Sequence, residues 1–173
     1  MRLTFSRMAD RRPVETLVER DDGVVFAMRG AGGGAELPHD LVHAVVEEAL
    51  GIPDGIWGCV ADGAVWGSMR HVSGRRPPHW QERSDRLKKE RTAAIARAEA
   101  VADLASRLAR GAEVLPGQGA GSIAGSGFPP ARIDQAVDAV RSAERRWAQL
   151  SPGATWTVTW AARPARARRS RAG

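Results

Sequence analysis

The chain has one cysteine, Cys59, no tyrosine, no asparagine, and only two lysines among its 26 basic side chains. A single thiol excludes an intrachain disulfide and any zinc cluster built on several cysteines, so a metal site here must draw on histidine and carboxylate. Cys59 lies within the apolar run Ile56-Trp57-Gly58-Cys59-Val60-Ala61. That setting raises a thiol pKa and suits a small packed residue better than a nucleophile. No run of eighteen apolar residues exists, which excludes a hydrophobic membrane-spanning helix. Met1 to Arg7 lack the continuous apolar segment of a signal peptide, and a cytoplasmic protein is the expectation. The preference for arginine over lysine, and the missing Tyr and Asn, fit a GC-rich genome as well as a selected function.

What is present is globular in balance. Of 173 residues, 43% are hydrophobic and 27% charged, enough for one core of ordinary size. The net charge of +6 is concentrated at the end of the chain. Arg163, Arg166, Arg168, Arg169 and Arg171 carry no acidic neighbour there, and without these five the remaining 21 basic side chains face 20 acidic ones. The expected organisation is a single α+β domain over 1–160, with a flexible Gly-rich linker at 111–130, and a disordered Arg-rich tail at 161–173.

Alternation marks the strands. Leu3 and Phe5 alternate with Arg2, Thr4 and Ser6, and the runs Val14–Arg20 and Val24–Met28 flank Asp21-Asp22-Gly23, whose Asp-Gly step predicts a hairpin. Thr155-Trp156-Thr157-Val158-Thr159-Trp160 alternates strictly and predicts a last strand that completes the same sheet. Gly30-Ala31-Gly32-Gly33-Gly34-Ala35 reads as a flexible connection, and it lacks the Lys and Ser/Thr that a phosphate-cradling loop would need. Arg70 to Trp80 reads as an exposed basic loop containing His71 and His79.

Two long helical patterns follow. From Ser84, Leu87, Ala94, Val101 and Leu108 recur every seven residues until Gly111; from about Ala131 to Leu150, Ile133, Val137, Val140 and Trp147 share a face. They predict an antiparallel helical hairpin. Between them, Gly119-Ala120-Gly121-Ser122-Ile123-Ala124 matches a loose dinucleotide pattern, but no strand precedes it and nearby Gly and Pro forbid the helix that should follow. The expected fold is therefore a small antiparallel sheet, the N-terminal meander plus the C-terminal strand, packed on a central helix and the hairpin.

The central helix carries the chemistry. Pro38 suits a first turn and Gly51 a residue just past the C-terminus, so the helix should run from about Pro38 to Leu50. Leu41, Val42, Val45, Val46 and Ala49 form its apolar face, while His39, Asp40, His43 and Glu47 share a neighbouring stripe. Histidines four residues apart stand one turn above each other and can reach one cation. His39, His43 and Glu47 are thus candidate metal ligands, with His71 or His79 as a further ligand, and Asp40 is the candidate catalytic residue, acting as a ligand or a weak base. A divalent metal such as zinc would be the cofactor. Packed, hydrogen-bonded histidines satisfy the same pattern.

His39-Asp40-Leu41-Val42-His43 resembles the HDxxH metal motif of a ubiquinone-biosynthesis family. There a glutamate follows twelve residues on, where this chain has Gly55. The same residues, with Trp57-Gly58 behind them, also resemble an uncharacterised family of high-GC bacterial proteins with an HDxxH motif near the N-terminus; that likeness brings no activity with it. Three function classes stay open. They are a metal-binding protein or metal-dependent enzyme, a non-catalytic interaction module in which the hairpin joins a protein partner or a second copy, and a weak nucleic-acid binder using the Arg-rich tail with Arg75, Arg76 and Trp80.

Overall fold

A computed structural model describes residues 1–9, 13–34, 36–113 and 122–161. The tail beyond 161, most of the Gly-rich segment before Ser122 and the start of the dinucleotide-like pattern lie outside the described residues.

Five antiparallel strands form one sheet in the order β4-β3-β2-β1-β5: β1 Arg2–Ser6, β2 Pro13–Glu19, β3 Val25–Gly33, β4 Met69–Ser73 and β5 Thr155–Thr159. The β2–β3 turn falls at Asp21-Asp22-Gly23, with Gly23 at φ 81° and its N–H donating to the Arg20 carbonyl. Only glycine takes that φ without strain. Register follows the alternation, so one cross-strand row reads Trp156, Phe5, Thr16, Met28 and Met69, and the next reads Val158, Leu3, Val18, Phe26 and His71. Leu3, Phe5, Val18, Phe26, Met69, Trp156 and Val158 of these rows belong to the sheet's core, which is closed by Trp57, Trp147 and Trp160.

Two stretches read as loops are strands. The Gly-rich run to Gly33 continues β3, pairing Gly33 with Pro13, and Met69–Ser73 forms the edge strand β4 against Val25–Met28. Backbone pairing needs no side chain, so a Gly run beside a strong partner strand extends the ladder. The edge position explains the polar composition of β4.

The helices are α1 His39–Leu50, α2 Ile56–Ala61, α3 Trp80–Glu90, α4 Thr92–Ala109 and α5 Pro130–Gln149. α1 ends as anticipated: Gly51 is left-handed at φ 68° and its N–H donates to Glu48. The helix expected from Ser84 onward begins earlier, at Trp80, and breaks at Arg91. There the Thr92 hydroxyl bonds back to the carbonyls of Lys88 and Lys89, competing with the helical ladder.

α1 is buried on more sides than one apolar stripe would give. Leu41 and Ala44 join the sheet's core, while Val42, Val46 and Leu50 join a second core with Val101, Leu104, Ile133 and Val140 of α4 and α5. The α4–α5 pair is not the expected antiparallel hairpin. Arg97 lies over the Phe128 ring and Arg141 bonds the carbonyls of Leu108 and Ala109, so the start of α4 lies near the approach to α5 and its end beside the middle of α5. A short loop would have forced antiparallel packing; the long connection between these helices does not. Along that connection, Ser126 is fully buried, and Ile123 and Phe128 pack on the second core.

Candidate metal centre

α1 sets His39 and His43 one turn apart, with ring centroids 4.7 Å apart and edge to face. His39 is half exposed, whereas His43 is 2% exposed, because α1 is covered on both sides at that level. From α4, Glu99 brings a carboxylate to both rings. Its Oε2 lies 3.1 Å from His43 Nε2 and 3.9 Å from His39 Nε2. The three ligand atoms fall within 4.8 Å of one another. Bonds of ~2.1 Å to a tetrahedral zinc would separate the ligands by roughly 3.4 Å, so the two exposed members need only close slightly on a cation.

Glu47 occupies the other side of His43. Its Oε1 stands 3.4 Å from His43 Nδ1, an ion-pair distance without hydrogen-bond alignment, so Glu47 supports the ring from behind and is not part of the Nε2 cluster. Its carboxylate is fully buried and accepts the N–H groups of Ile56, at 2.9 Å, and Trp57, at 3.2 Å. These are the first donors of α2, which no residue of α2's own lead-in caps with a side chain. A Cβ on Gly55 would lie 2.6 Å from both the Glu47 carboxyl carbon and Oε2. Glycine at position 55 thus leaves the space that the Glu47 carboxylate occupies.

His43 is thus an imidazole between two carboxylates. Burial works against its charged form, but the contacts with Glu47 and Glu99 outweigh this and raise its pKa to about 9. Glu99 is correspondingly lowered by its bond to His43. Asp40, in the first turn of α1, moves the other way. Burial raises its pKa, and its Oδ2 is shut from solvent with no hydrogen-bond partner. A Cβ on Gly30 would come 2.5 Å from that oxygen, so the glycine of β3 is what lets Asp40 lie against the sheet. The Trp57 indole N–H donates to the Asp40 carbonyl at 2.9 Å and fixes the first turn of α1 against α2.

His39, Asp40, His43 and Glu99 line a cavity of about 120 Å³, whose apolar wall includes Met28, Trp57, Trp66 and Met69. Of the sequence candidates, the structure joins His39, Asp40 and His43 at this cavity and sets Glu47 behind them. His71 and His79 are elsewhere: His71 bonds the Gly74 carbonyl and meets Phe26 edge-on, and His79 faces Glu82. Glu99 escaped the sequence reading, since nothing local distinguishes it from any solvated glutamate on an Ala-rich helix. Cys59 is buried, and burial pushes its thiol up, as its apolar neighbours suggested. Comparison with protein-family models, with curated proteins and with solved structures gave no match.

Proposed function

We propose that this chain is a small metal-binding protein that holds one divalent transition metal through His39, His43 and Glu99, and that the ion serves hydrolytic chemistry in the adjoining cavity. The observation that supports this is the convergence of two imidazole nitrogens and a carboxylate oxygen from two helices within 4.8 Å. Two nitrogens and one oxygen suit zinc, and leave a fourth position for water. A bound ion would lower the pKa of that water. The chain's own residues do the rest. Glu47 holds His43 from its Nδ1 side, which directs Nε2 into the site. Asp40, a buried carboxyl whose pKa burial raises and whose Oδ2 has no hydrogen-bond partner, stands at the cavity wall, where it is placed to exchange a proton with a reacting group.

A metal-free reading also has an observation behind it. Glu47, His43 and Glu99 are charge-complementary as they stand and would clamp α1, α2 and α4 together without any ion. Elemental analysis of protein purified without an affinity tag separates the two. His39 and Glu99 are both exposed enough that His39→Ala and Glu99→Gln should leave the fold intact. About one equivalent of zinc is expected in the parent chain and much less in either variant. A parent chain that stays metal-free in excess zinc, or equal metal in all three proteins, would overturn the proposal.

A further inference from the structure

A second cavity, of about 490 Å³, opens between the end of the β2–β3 hairpin, the turn after α2 and the exposed face of α3. That volume is of the size that encloses small organic ligands. Its walls are apolar at Val24, Phe26, Val65 and Leu87, and four arginines are among its lining residues, Arg20, Arg76, Arg83 and Arg86. Three carboxylates line it too, but each is already engaged. Asp22 is bound by Arg20, Asp62 by Arg91, and Glu90 lies 3.9 Å from Arg86. Among the described residues, no carboxylate lies within ion-pair distance of Arg76 or Arg83, so these two cations are unmatched.

The mouth is built around Trp80. The Arg76 guanidinium stacks 4.4 Å above its ring, and Trp80 opens α3 directly after His79, the one non-glycine residue with positive φ among the described residues, at 54°. A left-handed non-glycine residue is strained and marks a conformation that its surroundings impose. Here it sets the Trp80 ring and the start of α3 at the cavity. α3 has no side-chain cap, so the first N–H groups of an eleven-residue helix add a partial positive charge near Arg83, and the one carboxylate of that turn, Glu82, faces His79. Arg20 closes the other end, its side chain only 9% exposed, with Gly63 leaving room beside the guanidinium.

We propose that this cleft binds a small organic phosphate with a planar ring, of mononucleotide size, its phosphate paired with Arg83 and Arg76 at the start of α3 and its ring against the apolar wall beside Trp80. Unmatched arginines supply the paired donors that phosphate geometry favours, and an aromatic side chain with apolar neighbours supplies the stacking surface. The site is separate from the histidine cluster, so it stands whether or not the chain binds a metal.

Calorimetric titration of the full chain with AMP, in EDTA so that the histidine cluster takes no part, tests this. Saturable 1:1 binding is expected with a dissociation constant below about 1 mM. It should weaken at least about tenfold in Arg83→Gln and in Trp80→Leu, while Arg75→Gln, outside the cleft, binds as the parent does. Three results would each overturn the proposal: no saturation by AMP, equal affinity in all the variants, or inorganic phosphate binding as tightly as AMP, which would remove the ring from the recognition. Binding of a single-stranded RNA octamer in place of AMP would also overturn it, and would assign the cleft to a nucleic-acid strand.

Discussion

Replacing Gly55 by alanine should be far more costly than its place in the short connection between α1 and α2 suggests, because the residue is buried. Gly55 has φ −73°, so an alanine backbone is not strained there. The cost is steric, because the new methyl would sit 2.6 Å from the Glu47 carboxylate and 3.0 Å from Ala98 Cβ. Ala98 is fully buried on α4, so the carboxylate must give way. Doing so breaks its bonds to Ile56 N–H and Trp57 N–H and loosens its hold on His43. A hydrogen bond to a charged group contributes about 1.5 to 3 kcal/mol, and a buried carboxylate left without partners costs more still. Partial relaxation of Glu47 recovers some of this, so a net loss of about 3 kcal/mol is expected. Urea unfolding of the metal-free chain measures it as a lower midpoint at unchanged slope. Gly67→Ala is the control, since a methyl there meets nothing within 4 Å, and it should change stability by less than about 0.5 kcal/mol. Equal losses in the two variants would refute the claim that Gly55 exists to seat Glu47.

Two further outcomes follow from the same geometry. The His43 pKa is about 9 in the folded chain against an ordinary 6.5, so folding takes up a proton between these values. The resulting stability is fully present below pH 6.5 and is lost as pH rises through 9; it amounts to about 3 kcal/mol, and urea midpoints in EDTA should fall across that window, less steeply in Glu99→Gln. A flat profile from pH 6 to 9.5 would contradict it. Gly30→Ala should destabilise by about 1 to 3 kcal/mol through its clash with Asp40, and the loss should shrink by at least about 1 kcal/mol when Asp40 is also alanine. Strictly additive losses in that double-mutant cycle would mean that the two residues do not touch.

The parts of this fold that the sequence revealed are those with local causes. The Asp21-Asp22-Gly23 turn, the alternation through Leu3 and Phe5, the closing strand at Thr155–Thr159 and the limits of α1 all follow from propensities within a few residues. The i, i+4 histidine pair was legible for the same reason. Glu99 was not, because it reaches His43 from 56 residues away and only the packing of α4 on α1 brings it there. Glu47 shares a helical stripe with His43, which made it a candidate ligand, but that spacing does not say which ring nitrogen it meets, and it faces Nδ1. That depended on α2 needing a carboxylate at its start. The sense of the α4–α5 pair was equally hidden, since periodicity shows which face is apolar and nothing of how a long connection returns.

The proposed site needs one arrangement of nitrogen atoms: Nε2 of both His39 and His43 on the Glu99 side, toward the cation, and Nδ1 of His43 toward Glu47. Long-range proton–nitrogen NMR of the imidazole rings, recorded while zinc is added to the metal-free chain, reads those atoms directly. The expected result is that the Nε2 signals of His39 and His43 move together and stop moving at about one equivalent, with His43 keeping its Nδ1 proton and His71 and His79 unchanged. A His43 ring that stays doubly protonated in excess zinc, or shifts confined to the other histidines, would contradict the assignment and leave the cluster as an ion-paired clamp between helices.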